Sequence, residues 1–347
     1  KAYLWHNGVP VKEFRTFYAP VQMNLELTSR CPLRCPQCYC DLNKGKDLPL
    51  DKAFYWLENA AKHGVSQINL SGGETMCYPH LHQLIEFCRD HGLQSNVALS
   101  GWGIDEKSLQ RLMDCGVNNI YISLNGSTDA INQKSRDGYA LAIRALELLQ
   151  KKSFANTYIN WVMHSFNADD FPAMLELAER YGVSELVVLV FKPNADHELP
   201  SLPTGEQVRE IAKTIRAYQG PVKVTVEGCF SQLRAGLNQR FFTNLNRGVS
   251  RGCGAGRDGI SVSADGKLTP CRHLEIEEDW DDILAYWQGS ETLKKLRAME
   301  DEPQSPCNSC KYQRYCLPCA AVNYKQKGSI FMGCSCCPIC PEPKEGT

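Results

Sequence analysis

The sequence predicts an α/β protein: a partial (β/α)6 barrel followed by a cysteine-rich region. Strand-like and helix-like stretches alternate from residue 21 to residue 225, and such alternation predicts a parallel sheet with right-handed crossovers. From residue 227 onward glycine and cysteine become frequent and long helical periods fade, except between Trp280 and Met299. In parallel sheets of this kind the chemistry gathers at the carboxyl ends of the strands.

Each element of the predicted barrel is a short run bounded by turn residues. The predicted strands lie at 21–28, 67–71, 96–100, 119–124, 157–163 and 185–191, with another at 222–226. The predicted helices lie at 51–63, 79–91, 105–115, 139–152 and 169–181, with another after Pro203. Because the strands are largely apolar or β-branched, we expect both faces of the sheet to be covered. The predicted units are an N-terminal extension (1–20), the barrel (21–226) and the cysteine-rich domain (227–347).

Composition narrows the class of protein. A chain of 347 residues with 43% hydrophobic and 22% charged residues can form a large core and a smaller second unit. The net charge of −1 argues against nucleic-acid binding through phosphate contacts. We find neither a bilayer-spanning apolar run nor a signal-peptide pattern, so we expect a cytoplasmic protein.

Cysteine is the unusual component, with 18 residues that bunch at 31–40 and 307–340. Disulfides are typical of small secreted scaffolds that lack a core, whereas clustered cysteines in a large chain without a secretory signal favour metal or cluster ligation. We therefore expect most of these thiols to be ligands.

The first group lies in the loop after the first strand. Cys31, Cys35 and Cys38 are spaced four and three residues apart. Three such thiolates can hold an iron–sulfur cluster while leaving one iron without a protein ligand. An open metal position is where a substrate or cofactor binds directly. The alternative is a structural zinc site or a redox thiol pair, although zinc favours paired cysteines and four ligands.

Two sequence features resemble those of the radical SAM enzyme family. One is the motif Cys31-x-x-x-Cys35-x-x-Cys38, and the other is the Ser71-Gly72-Gly73-Glu74 segment after the second strand. The resemblance covers about residues 21–225 and implies a TIM-like partial barrel, a 4Fe–4S cluster and S-adenosylmethionine at the open iron. It further implies that Gly72, Gly73 and Glu74 contact the amino group of this cofactor. The other implied cofactor contacts are Ser123 and Asn125 at the ribose, and Asn167 and Phe191 near the adenine. The family usually places an aromatic residue just before the third cysteine; here that position is Gln37, and Tyr39 is the nearby aromatic.

Several further polar residues lie near predicted strand ends. These are Glu26, Arg136, His164, Lys192 and Glu227. Such residues are more often structural than catalytic, so the sequence names no catalytic acid or base.

The second cysteine-rich stretch contains Cys253, Cys271, a 307–319 segment and a tail with four cysteines. Cys307, Cys310, Cys316 and Cys319 form the segment, and Cys334, Cys336, Cys337 and Cys340 form the tail. A domain with so little core would be held together by bound metal, either two iron–sulfur clusters or two zinc knuckles.

The order of these cysteines resembles the SPASM extension of radical SAM enzymes, which carries two auxiliary clusters. The resemblance implies one cluster on Cys307, Cys310, Cys316 and a tail cysteine such as Cys334 or Cys337. It implies the other on Cys253, Cys271 and Cys319, where three ligands would leave an open iron for a substrate thiolate. A fourth ligand from Cys336, Cys337 or Cys340 would exclude that hypothesis. The family usually leaves three residues between the cysteines that match Cys316 and Cys319, and here there are two.

We expect the remaining cysteines not to bind metal. Cys88 and Cys115 lie among apolar residues of helices, and we expect them to be small core residues. The others are Cys40, Cys77 and Cys229.

The resemblance implies reductive cleavage of S-adenosylmethionine to a 5'-deoxyadenosyl radical and modification of a ribosomally made peptide, by crosslinking, epimerisation or backbone excision. One alternative is a radical SAM enzyme that acts on a small molecule such as a tetrapyrrole or sugar. Another is a non-catalytic zinc or iron–sulfur protein, which would leave Gly72, Gly73 and Glu74 without a role. The implied partners are a precursor peptide and an electron donor such as flavodoxin or ferredoxin. About twenty residues precede the first barrel strand, too few for a leader-binding domain, so we expect a separate small leader-binding protein.

Overall fold

The computed structural model describes residues 5–6, 9–10, 17–192, 202–237, 252–274, 276–299, 301, 307–310, 316–330 and 337. The strands in these ranges are β1 (Trp5–His6), β2 (Val9–Pro10), β3 (Gln22–Glu26), β4 (Gln67–Ser71), β5 (Gln94–Leu99), β6 (Asn119–Ser123), β7 (Thr157–Met163), β8 (Glu185–Val190), β9 (Lys223–Val226), β10 (Gly259–Val262) and β11 (Leu268–Thr269). The helices are α1 (Leu50–Lys62), α2 (Leu81–Asp90), α3 (Glu106–Asp114), α4 (Asp129–Asn132), α5 (Tyr139–Lys151), α6 (Phe171–Arg180), α7 (Gly205–Ala217), α8 (Ser231–Gly236), α9 (Ile283–Gly289), α10 (Glu291–Ala298) and α11 (Ala320–Lys327).

One nine-stranded sheet runs in the order β11-β10-β3-β4-β5-β6-β7-β8-β9. Every neighbouring pair from β10 to β9 is parallel, and only the β10–β11 pair is antiparallel. The six predicted barrel strands therefore occur in sequence order, each followed by helical structure. This confirms the predicted α/β class with a parallel sheet.

The helices follow from amphipathic spacing and from their caps. In α1 the buried side chains Ala53, Trp56, Leu57 and Ala60 recur at helical intervals, so one face of the helix packs on the sheet. Before α3, the Asp105 carboxylate accepts a hydrogen bond from the Ser108 N–H (2.7 Å), and the Ser108 hydroxyl accepts one from the Asp105 N–H (2.8 Å). This reciprocal capping box satisfies backbone donors that the first helical turn leaves without partners.

The barrel strands present different chemistry on their two faces. In β7 the alternate residues Thr157, Ile159, Trp161 and Met163 are buried, whereas the intervening Asn160 lines a cavity inside the barrel. At this position the interior face is polar and open, because the partial barrel encloses a cavity there instead of a packed core.

The region after residue 227 shares the barrel's sheet. β10 pairs in parallel with β3, so that Ile260 lies opposite Met23. The division of the chain near residue 227 stays a prediction. The predicted helical stretch from Trp280 to Met299 is two helices, because the backbone turns at Ser290. The Ser290 hydroxyl accepts a hydrogen bond from the Leu293 N–H (3.2 Å) and so caps α10.

In the part of the chain that the structure describes, no helix combines the length and apolar character needed to cross a membrane.

Candidate functional site

A cavity of about 590 Å³ opens at the carboxyl ends of the parallel strands and extends into the barrel interior. Its walls come from the first cysteine loop, from the segment after β4, from the ends of β6 and β8, and from the segments around residues 228 and 272. Parallel strands bring their carboxyl ends to one edge, which explains why segments distant in sequence meet here.

The three predicted ligands of the first loop meet at this cavity. Cys31, Cys35 and Cys38 are all half-buried and line it. A turn holds the loop, with the Cys38 N–H donating to the Cys35 carbonyl (3.0 Å). Burial, and then the charges of Glu74, Cys35 and Cys38, raise the pKa of Cys31 to about 11. Three thiols this close repel one another when ionised, and a bound cationic cluster would remove that repulsion. The residues therefore fit an iron–sulfur cluster.

Gly72 and Gly73 let the segment after β4 lie directly against the cysteine loop. A Cβ atom on Gly72 would lie 2.4 Å from the Thr28 carbonyl oxygen, and one on Gly73 would lie 2.4 Å from that of Arg30. The Gly73 N–H donates to the Thr28 carbonyl (2.6 Å). Gly72 also has a φ of +152°, which L side chains rarely adopt. The paired glycines thus fix the position of Glu74 relative to the cysteines.

Glu74 is 1% exposed and lies at the cavity wall. Its carboxylate accepts hydrogen bonds from the Ser100 N–H (2.9 Å) and hydroxyl and from the Met76 N–H (3.2 Å). Burial raises the pKa of Glu74, against these hydrogen bonds and the charge of Arg136. Arg136 also lines the cavity, and its buried Nε has no hydrogen-bond partner within the described residues. The cavity wall therefore presents an oriented carboxylate and a guanidinium.

The structure separates the other predicted cofactor contacts into two sets. Ser123 and Phe191 line the cavity. Asn125 and Asn167 are fully buried and are not among the cavity-lining residues of the described ranges. Asn167 Nδ2 donates to the carbonyls of Asn125 and Val162, both at 2.9 Å. In this structure the two asparagines thus hold loop backbones in place.

Gln37, the residue just before Cys38, belongs to the same polar network. Its Oε1 accepts a hydrogen bond from Asn125 Nδ2 (2.9 Å) and lies 2.6 Å from His164 Nε2. The His164 ring packs on Phe191 with 4.7 Å between ring centroids. Gln37 therefore links the cysteine loop to the loops after β6 and β7.

Tyr39 joins the first cysteine loop to the C-terminal region. Its ring centroid is 4.5 Å from that of His273, and the Arg272 guanidinium lies 5.1 Å from the ring centre. Arg272 Nη1 also donates to Ser71 Oγ (3.0 Å), and all four residues line the cavity. Sequence reasoning missed Arg272 and His273; the one available signal was that they directly follow Cys271.

The tail of the chain supplies one member of the second cysteine group. Burial, and then the charges of Cys337, Cys307 and Cys310, raise the pKa of Cys316 to about 12. Cys307, Cys310 and Cys337 therefore lie near Cys316, and Cys337 is the one tail cysteine within the described residues. The tail residues Cys334, Cys336 and Cys340 lie outside the described ranges.

The third group contains a cysteine to which the sequence assigns no metal role. Cys253 and Cys319 are buried, and their thiols hydrogen-bond with the thiol of Cys229. The charge of Cys229 also acts on Cys271. Across the described ranges no three His, Cys, Asp or Glu side chains converge on the position of a single metal ion. The thiolates of a four-iron cluster bind separate irons and do not require such convergence.

Lys192 and Glu227 form a half-buried ion pair at the cavity wall, with Nζ 2.7 Å from Oε1. The Val190 N–H donates to the same carboxylate oxygen (2.6 Å). Burial raises the pKa of Glu227. Burial alone would lower the pKa of Lys192, but the charges of Glu227, Cys229 and Cys319 hold it above its usual value. Both residues line the cavity as a charged pair.

A chain of side-chain amides forms the polar floor of the barrel interior. Asn119 donates to Asn96 (2.6 Å), Asn96 to Asn69 (2.8 Å), Asn69 to Gln22 (3.3 Å) and Gln22 to the Asp258 carboxylate (3.2 Å). An ionised carboxylate only accepts hydrogen bonds, so Asp258 fixes which way the Gln22 amide is oriented. Gln22 in turn fixes the orientation of the three asparagine amides that follow it. Most of these amides line the cavity, which therefore has a hydrophilic base.

Comparison with known proteins agrees with this geometry. Residues 25–178 match the family model of the radical SAM superfamily. A PqqA peptide cyclase from Granulibacter bethesdensis is 29% identical over 319 residues, which is 85% of this chain and 80% of that protein. An AdoMet-dependent heme synthase from Methanosarcina barkeri is 24% identical over 335 residues, 90% of this chain and 95% of that protein. The structure of Streptococcus suis SuiB bound to precursor peptide SuiA has the same fold, with a TM-score of 0.74 at 16% identity over 92% of this chain and 76% of that chain.

Proposed function

Because this chain carries a radical SAM domain, we propose that it reductively cleaves S-adenosylmethionine and modifies a ribosomally made peptide. The observation that carries the proposal is the single cavity onto which the Cys31–Cys38 loop, Glu74 and the polar floor all open. A cofactor held by the cysteine loop and a substrate resting on the floor would lie in one enclosed space, which suits a reaction between them.

Cys31, Cys35 and Cys38 would hold the 4Fe–4S cluster through their thiolates. When bound, this cluster and S-adenosylmethionine supply the 5'-deoxyadenosyl radical that removes a hydrogen atom from the substrate. The sheet supplies the rigid frame, since the cysteine loop and Glu74 follow neighbouring strands β3 and β4. We assign two auxiliary clusters to the remaining cysteine groups.

The chain's own residues would bind and orient the cofactor. Glu74 offers a negative carboxylate, held by Ser100, that can accept hydrogen bonds from the ammonium group of the methionine moiety. The positive guanidinium of Arg136 at the same cavity can pair with an anionic group of the ligand. Ser123 and Phe191 at the neighbouring strand ends, together with Tyr39, are the proposed contacts to the nucleoside.

The polar floor favours a peptide as the substrate and disfavours an apolar ring system. Asn160 and Tyr121 face the cavity beside the amide chain, and no side-chain hydrogen bond of Asn160 occurs among the described residues. Main-chain amides of a peptide can exchange hydrogen bonds with such groups. An apolar ligand that covered these side chains would leave their polar atoms without hydrogen-bond partners. The match to a heme synthase keeps a tetrapyrrole as the second candidate.

Two partners complete the proposal. A flavodoxin or ferredoxin would reduce the first cluster, and a separate small protein would bind the leader of the precursor peptide. Tight binding of a full precursor by this chain alone, measured by isothermal titration, would contradict the second part.

The test is anaerobic reconstitution followed by incubation with S-adenosylmethionine and dithionite. We expect 5'-deoxyadenosine from the intact chain and none from Cys35→Ala, while Cys88→Ala, which changes a buried helical thiol remote from the cavity, keeps the activity. Synthetic peptides encoded beside the gene are then added and analysed by mass spectrometry. A mass change in such a peptide supports the peptide substrate; a change only in an added tetrapyrrole favours the second candidate. Absence of 5'-deoxyadenosine under all conditions refutes the proposed activity.

A further inference from the structure

Cys229 occupies a fixed position at the edge of the cavity. It follows β9 in a turn in which the Glu227 N–H donates to the Val188 carbonyl and the Phe230 N–H donates to the Glu227 carbonyl, both at 3.0 Å. The side chain of Phe230 is fully buried. The turn is therefore anchored on both sides, and the Cys229 thiol is held among three other thiols.

Two of those thiols are brought together by a close backbone approach. The Cys253 N–H donates to the Leu317 carbonyl (3.1 Å), and Gly252 forms a parallel bridge with Leu317. A Cβ atom on Gly252 would lie 1.9 Å from the Leu317 carbonyl oxygen, so only glycine permits this approach. It sets Cys253 beside Cys319, the residue that precedes α11.

The remaining thiol arrives from the β10–β11 hairpin. Cys271 lies just beyond β11 in a turn closed by the Leu274 N–H to the Cys271 carbonyl (2.9 Å). Its sulfur accepts a hydrogen bond from the His273 N–H (3.4 Å). Cys271 and Cys229 both line the cavity. Four separate segments thus each deliver one thiol to one place.

We propose that Cys229 is a ligand of the same iron–sulfur cluster as Cys253, Cys271 and Cys319, so that every iron of this cluster has a protein thiolate. The inference rests on the proposed function for the presence of the cluster. It replaces the hypothesis of an open iron that binds a substrate thiolate. A closed cluster can accept or deliver electrons, and the substrate must then be held by the cavity walls alone.

The charged surroundings of these thiols support the assignment. Four thiolates carry more negative charge than a four-iron core compensates, and nearby cations and hydrogen bonds offset the excess. The Lys192 ammonium, although paired with Glu227, acts on both Cys229 and Cys319, and the backbone N–H of Ala320 donates to Cys253. Arg234 adds a second positive charge near Cys229.

The first experiment needs no change at Cys229. In the variant with Cys31, Cys35 and Cys38 all replaced by Ala, only the auxiliary clusters remain, with about eight iron atoms per chain if both are present. A cluster with three protein ligands loses its unprotected iron on mild ferricyanide oxidation and gives the electron paramagnetic resonance signal of a 3Fe–4S centre. We expect less than about a tenth of the chains to give that signal. A signal approaching one per chain would overturn the proposal.

The second experiment adds Cys229→Ala to the same variant. We expect the 3Fe–4S signal to rise at least fivefold, with loss of about one iron per chain on oxidation; Cys229→Ser, whose oxygen can still bind iron, should give an intermediate signal. Cys88→Ala is the matched control and should change nothing. An unchanged signal in Cys229→Ala, or the same rise in Cys336→Ala or Cys340→Ala instead, would show that another residue closes the cluster. Since neither readout depends on S-adenosylmethionine cleavage, failure of this assignment is distinguishable from failure of the proposed function.

Discussion

Glu74 and Ser100 are joined by two hydrogen bonds between the carboxyl ends of neighbouring strands β4 and β5. The Ser100 N–H and hydroxyl both donate to Glu74 Oε2, the former at 2.9 Å. The carboxylate is thereby oriented by the protein itself, and a ligand ammonium group meets a preorganised acceptor.

Glu74→Gln should weaken S-adenosylmethionine binding by tenfold or more, about 1.4 kcal/mol or above. The substitution removes the negative charge and places an amide among donors that require an acceptor. Anaerobic isothermal titration of the reconstituted enzyme measures the change. Glu58→Gln on the exposed face of α1 is the control; equal affinities for the intact chain and Glu74→Gln would remove Glu74 from the cofactor site.

Gly73→Ala should displace the cysteine loop. The added Cβ would lie 2.4 Å from the Arg30 carbonyl oxygen, and backbone cannot yield as a flexible side chain does. We expect a stability loss of roughly 1–3 kcal/mol and a fall of at least half in iron bound by the first loop. Gly92→Ala, whose φ of +69° costs stability but whose Cβ would meet nothing within 4 Å, should retain its iron. Full iron content in Gly73→Ala would show that the close approach of the two loops is not needed for cluster binding.

Asp258 should make folding stability depend on pH. Burial raises the pKa of its carboxyl from 3.8 to about 6 in the folded chain. A carboxyl whose pKa is raised by folding stabilises the fold at low pH, and that contribution is lost as the pH rises through about 6. Between pH 5 and 8 the loss should be about 1–1.5 kcal/mol.

Asp258→Asn removes this titration while its amide oxygen can still accept the hydrogen bond from Gln22. Anaerobic thermal unfolding of the intact chain at pH 5.5 and pH 8 should therefore show a larger decrease in Tm than the variant shows. Parallel pH curves for the two proteins would contradict the assignment.

Asp282 should stabilise the contact between α1 and the C-terminal region. Its carboxylate accepts hydrogen bonds from the Leu284 and Ala285 N–H groups at the start of α9, at 2.9 and 3.0 Å, and lies 2.8 Å from His63 Nε2. Asp282→Ala should cost about 1–2 kcal/mol, whereas Asp282→Asn keeps the cap and should cost less than half as much. Equal losses of Tm for the two variants would assign the effect to charge instead of capping.

Local motifs explain how much of the site could be predicted from the sequence. The spacing of Cys31, Cys35 and Cys38 lies within one loop, and Gly72 to Glu74 lies within one turn, so neither requires knowledge of distant contacts. The six parallel strands were predictable for the same reason, because each strand and helix carries its own pattern of apolar residues. The interior face of the strands was harder, since single asparagines within otherwise apolar runs show no periodicity.

The sequence by itself determined the first cysteine site and the α/β succession, because both follow from residues adjacent along the chain. Only the tertiary structure decided that Cys229 joins Cys253, Cys271 and Cys319 and that Gln22 reaches Asp258, 236 residues away. The physical reason is strand pairing. β10 pairs with the edge of β3 and so brings the C-terminal cysteines to the mouth of the barrel. Residue spacing along the chain does not determine which edge of a sheet a later strand pairs with.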